Sequence, residues 1–199
     1  MLHGNKGSLD YSYTDALNWM HQLVKGMAFM HDRNIVHRNL KPSKLLFVHN
    51  FQTVKIGSSS CMTEVSTQMT FATDLPVYMA PEVLNGQTFT KSCDVYSFGT
   101  ILWEVMSRKR PFANKGYPLI RYLVLKGTRP DLNDANIFVR NSSPIKYLIN
   151  KYWDNMSRDF QPINNLISKC WDSNPQERPT MNDLIVSLGN ILTGFPIGT

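Results

Sequence analysis

The chain has 199 residues, 42% of them hydrophobic and 18% charged, with 21 basic residues against 15 acidic ones. That length and apolar content supply a core and exclude global disorder. No apolar run reaches the roughly 18 residues a bilayer span needs, and the opening MLHGNKGSLDYSY lacks the apolar stretch of a signal peptide.

The spacing of Leu17, Met20, Leu23, Val24, Met27 and Met30 predicts a helix over about Thr14–His31, with Thr14 as N-cap and Asp15 in the first turn. Gly26 weakens that pattern without ending it. Lys44–Val48 and Thr53–Ile56 read as two short strands about a turn at His49-Asn50. Residues 57–73, GSSSCMTEVSTQMTFAT, have the small hydroxylic composition of a loop. A second helix is predicted over about Cys93–Met106, and Trp103 widens its apolar face enough to imply deep burial. Tyr117–Lys126 is a shorter helix. A last helix follows Pro179-Thr180, with Thr180 and Asp183 spaced as a capping box.

Residues 140–154, RNSSPIKYLINKYWD, and 158–172, RDFQPINNLISKCWD, agree at eight of fifteen positions at an offset of 18. A tandem duplication of one helix accounts for this, and it places an insertion at 131–161. Ile145, Leu148, Ile149 and Tyr152 in one repeat match Ile163, Leu166, Ile167 and Cys170 in the other. Two copies fall short of a solenoid.

Cys61, Cys93 and Cys170 form no C-x-x-C pair, so a disulfide framework or zinc cage is not expected and a reducing, cytoplasmic setting is. The net charge of +6 is moderate. Its one dense cluster, Arg108-Lys109-Arg110, reads either as a nucleic-acid surface or as the basic end of a helix, and the second reading requires nothing further. No nucleic acid and no membrane is the expectation.

Three strings then follow in order: His37-Arg38-Asn39-Leu40-Lys41-Pro42, Ala80-Pro81-Glu82 and Asp94-Val95-Tyr96-Ser97-Phe98-Gly99. Cys170-Trp171 and Glu177-Arg178-Pro179-Thr180 come after them. Together they resemble the large lobe of the protein kinase superfamily. Lys55-Ile56, Trp103-Glu104-Val105, Gly127-Thr128-Arg129-Pro130 and Cys170-Trp171 are most similar to the transforming-growth-factor-β-activated subfamily of MAP kinase kinase kinases. No G-x-G-x-x-G string and no V-A-I-K strand occurs. The expected fold is therefore mainly α: a protein-kinase-like large (C-terminal) lobe over 1–199 with a small β element and the N-terminal lobe absent.

The resemblance also assigns roles. The family's catalytic-loop carboxylate, which takes the substrate hydroxyl proton, falls at Asn39, and an amide is no base at neutral pH. One magnesium ligand falls at Lys44 and the other, aligned without gaps, at Ser58. An ammonium repels a divalent cation and a neutral hydroxyl holds one poorly. Lys41 matches the catalytic-loop lysine, or is simply a solvated loop lysine. ATP and magnesium, the family's cofactors, are therefore not expected. The structural set is kept: Glu82 and Arg178 match a buried pair tying the activation segment to the last helices, Asp94 matches the residue that orients the catalytic loop, and His37 packs inside. Thr67 and Thr70 align with phosphorylated threonines, with Arg38 as the phosphate's partner, or are inherited from an active ancestor. Asp74-Leu75 stands where the family has Gly and Ser or Thr, which disfavours peptide-substrate binding.

These assignments lead to a pseudokinase that binds protein partners of a MAP kinase cascade. The alternatives are an ATP-dependent serine/threonine kinase and a gene fragment without function.

Overall fold

A computed structural model describes residues 11–57, 76–136 and 162–194. The fold is mainly helical, with one two-stranded antiparallel sheet among the described residues. Helix α1 spans Tyr13–Asp32. Its N-cap is Ser12, not Thr14: the Ser12 hydroxyl accepts from the Asp15 N–H at 3.1 Å, and the Asp15 carboxylate accepts from the Ser12 N–H at 2.8 Å. Asp15 is the third helical residue only if the helix begins after Ser12, so the reciprocal box fixes the start two residues early. The apolar stripe from Leu17 to Met27 is fully buried. Gly26 lies under β2, where an added Cβ would meet the Ile56 Cδ1 at 2.8 Å.

Strands β1 (Leu45–Val48) and β2 (Thr53–Ile56) pair with Leu45 opposite Ile56 and Val48 opposite Thr53. Lys44 is not in the first strand; it closes a short 3-10 turn over Pro42–Lys44. The connecting turn holds His49, Asn50 and Phe51 with φ of 51°, 53° and 65°, a run of left-handed residues without a glycine. Such backbone costs energy for each residue with a Cβ, and bonds from α1 offset it. The Trp19 indole donates to the Phe51 carbonyl at 2.6 Å, and Gln22 donates to the Gln52 carbonyl at 3.0 Å while accepting from the Val54 N–H at 2.9 Å.

After the one-turn helix α2 (Pro81–Leu84) comes α3 (Lys91–Ser107), in which every residue from Cys93 to Ser107 is buried. A helix enclosed on all sides is the pillar around which the rest packs. Helix α4 spans Tyr117–Leu125, α5 covers 162–170, and α6 spans Met181–Gly194. Thr180 and Asp183 form the capping box of α6, with bonds of 2.9 and 3.2 Å. The basic cluster is drawn into the fold: Arg108 donates to the Tyr11 carbonyl and covers the Tyr11 ring, and Lys109 pairs with Asp134 at 2.8 Å. Among the described residues, no helix is long and apolar enough to cross a membrane. The insertion predicted at 131–161 begins with a 3-10 segment over Leu132–Asn136; its first repeat, 140–154, lies outside the described residues.

Candidate functional site

The loop between α1 and β1 is held from below by α3. Asp94, in the first turn of α3, is completely buried. Its Oδ2 accepts from the His37 N–H at 2.8 Å and lies 2.9 Å from the His31 Nε2, while its Oδ1 accepts from the Arg38 N–H at 2.9 Å. Two of these partners are backbone amides of the loop, so the carboxylate fixes the path of the chain. Arg38 sits at φ 67°, a conformation a long side chain rarely adopts, and its amide bond to Asp94 helps hold it there. The Arg38 guanidinium reaches out over the Phe89 ring.

His37 is buried, and both ring nitrogens are used. Its Nδ1 accepts from the Asn39 N–H at 3.3 Å, so Nε2 carries the proton and donates to the Gly57 carbonyl at 3.2 Å. This links the loop to the end of β2. A second link runs from the Gly57 N–H to the Lys44 carbonyl at 2.7 Å. Any Cβ at Gly57 would lie 3.1 Å from that same oxygen, so the close approach suits glycine. Positions 37–44 and 57 are thus brought into one constellation. Ser58, the next residue, lies outside the described residues, as do Thr67, Thr70 and the Asp74-Leu75 pair.

Asn39 is half-buried and, with Lys41, Tyr78, Phe89 and Ser97, borders a cavity of about 20 Å³, room for about one water molecule. Ser97 donates to the Tyr78 carbonyl at 2.6 Å, and the Tyr78 hydroxyl donates to Glu104 at 2.5 Å. Burial, and then the neighbouring Glu104 charge, push the Tyr78 hydroxyl far above its usual range, so it stays a donor. Burial likewise raises the Cys93 thiol, which removes it as a nucleophile.

Among the described residues, the donors on this loop do not fit magnesium. Asn39 offers a neutral amide, Lys44 an ammonium, and the one buried carboxylate of the loop's support, Asp94, already accepts three bonds. Among the described residues, no three His, Cys, Asp or Glu side chains group as metal ligands.

Glu82 and Arg178 meet beside the first turns of α3. The guanidinium donates to both carboxylate oxygens, at 2.7 and 2.8 Å, and also to the carbonyls of Ser92 and Asp172 at 3.0 and 2.9 Å. Arg178 and Arg129 both lie over the Tyr96 ring, at 5.3 and 5.1 Å from its centre. α2, α3 and the approach to α6 are fastened by this one side chain. No motif in the sequence marks His31, which sits in the last turn of α1, sixty-three positions from Asp94. A basic residue in the last turn of a helix was the available signal.

A family model described as "Protein kinase domain" matches residues 3–187. Mitogen-activated protein kinase kinase kinase 7 of Homo sapiens is 35% identical over 159 residues, which cover 77% of this chain and 25% of that protein. The protein of the same name from Drosophila melanogaster is 37% identical over 136 residues, 66% of this chain and 20% of that one. The chain thus spans about a quarter of the length of the human relative it matches. The order of the loop, the fork and the buried helix, together with a family match over nearly the whole sequence, places this chain in the protein kinase domain family.

Proposed function

We propose that this chain works as a pseudokinase: a non-catalytic kinase-fold module that binds protein partners of a MAP kinase cascade in the cytoplasm. The observation that carries the reading is the contrast within one loop. Asp94 fixes two loop amides and His37 ties the loop to Gly57, yet the residues at the family's base and metal-ligand positions are Asn39 and Lys44. An amide in the base position does not take a proton from a hydroxyl, and an ammonium in the ligand position opposes a divalent cation. Phosphoryl transfer depends on charge neutralisation around the phosphates, so both replacements act against it. The cascade context rests on the similarity to mitogen-activated protein kinase kinase kinase 7.

The test is a transfer assay with radiolabelled ATP and magnesium, run on the chain and on the variant Asn39→Asp/Lys44→Asn/Ser58→Asp. The expected result is no label on any protein from the unaltered chain. Incorporation that persists in the unaltered chain, and that restoring the acids does not raise, overturns the proposal. The similarity to a protein named as a kinase keeps a second reading, a serine/threonine kinase, and the same assay decides between them.

A further inference from the structure

The sequence carries the α5 segment twice, and the second repeat is the one seated on α3 among the described residues. The repeats share the buried positions Ile163, Leu166, Ile167 and Trp171, which have Ile145, Leu148, Ile149 and Trp153 as counterparts. Trp171 donates its indole N–H to Thr100 at 3.1 Å, a bond either tryptophan can make. Over 162–170 four positions differ: Asn164 against Lys146, Asn165 against Tyr147, Ser168 against Asn150, and Cys170 against Tyr152. Asn165 and Ser168 are exposed, so those two exchanges meet solvent; Asn164 is half-buried with its Oδ1 enclosed, and a lysine there keeps its stem against the protein while its ammonium extends to water. Cys170 has no exposed surface at all.

Cys170 also packs directly on Gly99 of α3. A Cβ built on Gly99 of α3 would stand 2.5 Å from the Cys170 Cβ, and 3.2 and 3.3 Å from the Trp171 Cδ1 and Nε1. Closure is also recorded in the thiol, which burial pushes up to about 12. A thiol fits such a crossing. A phenol ring adds several heavy atoms with no opening to solvent, and a close-packed core answers that by moving backbone.

We infer that the groove on α3 at Gly99 selects between the two repeats by the size of one residue, accepting the helix that carries Cys170 and refusing the segment that carries Tyr152. The chain therefore holds a second segment that is one side chain away from competing for a structural position in its own core.

The experiment uses the full 199-residue chain in four forms: unaltered, Cys170→Tyr, Cys170→Tyr/Tyr152→Cys, and Tyr152→Cys alone. Melting temperature is measured for each, and maleimide labelling of every cysteine is read peptide by peptide by mass spectrometry. Cys170→Tyr should lower the melting temperature or fail to fold. The double exchange should recover most of that loss, with the thiol introduced at position 152 labelled at least about tenfold more slowly than in the unfolded chain. In Tyr152→Cys, which keeps the native α5 sequence intact, Cys170 should label faster than in the unaltered chain while the introduced thiol becomes partly protected. Three results overturn the inference: a Cys170→Tyr chain that melts where the unaltered one does, a double exchange as unstable as the single with its introduced thiol unprotected, or a Tyr152→Cys chain with Cys170 labelling unchanged.

Discussion

Asp94 accepts three hydrogen bonds without contact to solvent, two of them from loop amides. Asp94→Asn keeps the shape but turns one oxygen into an NH2 group that faces donors. Leaving a buried donor unsatisfied costs about 1–3 kcal/mol, so urea unfolding should show a loss of about 2 kcal/mol. Whichever of the His37 and Arg38 amides faces the new NH2 group should exchange faster than in the unaltered chain, because its acceptor is the oxygen replaced. The Glu82–Arg178 fork is the second critical residue pair. Arg178→Lys keeps the charge but cannot make two parallel bonds to a carboxylate and still reach the Ser92 and Asp172 carbonyls. One-sided disruption of a buried pair costs about 3–5 kcal/mol, and the same unfolding measurement should place Arg178→Lys near the lower bound. Asp94 and the fork are legible in the sequence because each sits inside a short ordered string. His31 is not, since a histidine at the end of an amphipathic helix carries no mark of the aspartate it meets across the fold.

Helices show themselves through period, and their ends through side-chain chemistry that admits more than one candidate. Ser12 and Thr14 both have the hydroxyl an N-cap needs, and only the spacing to Asp15 separates them. Ser12→Ala should therefore cost about 1 kcal/mol in urea unfolding, with Thr14→Ala costing clearly less. At the other end of the chain, bonds from the Thr180 hydroxyl and backbone hold the Asp183 carboxyl below its usual range. A lowered carboxylate pKa means the folded state favours the ionised form. The cap's stabilisation is then complete above the ordinary carboxylate range and is lost as pH falls through the lowered folded value. Asp183→Asn should remove that part of the acid dependence in an unfolding titration, and the effect should be small because the group is exposed. The sequence marks His49-Asn50 as a turn but gives no sign of three left-handed residues in a row. Nothing local dictates that conformation; Trp19 and Gln22, about thirty positions upstream, supply the bonds that hold it.

At the scale of the whole molecule, the limits of the fold are set by packing, and they do not coincide with the limits of family similarity. The matched region ends at residue 187, in the middle of α6. Yet Met181, Leu184 and Leu188 of α6 are all buried, and Leu188 is the deepest apolar contact beyond that point among the described residues. α6 also touches the end of α1, where the Asn182 amide donates to Asp32 at 3.2 Å. Ending the chain after Ser187 removes the Leu188 side chain from the core and leaves the last turn of the shortened helix without its partners. Removing a buried leucine side chain costs about 2–5 kcal/mol. A chain ending at Ser187 should therefore melt several degrees lower than the full one. Leu188→Ala in the full chain separates the two contributions. If it reproduces most of the truncation's loss, the core contact is what the last turn provides; if it reproduces little, the helix end itself is what matters, and α6 stabilises the fold mainly through its length.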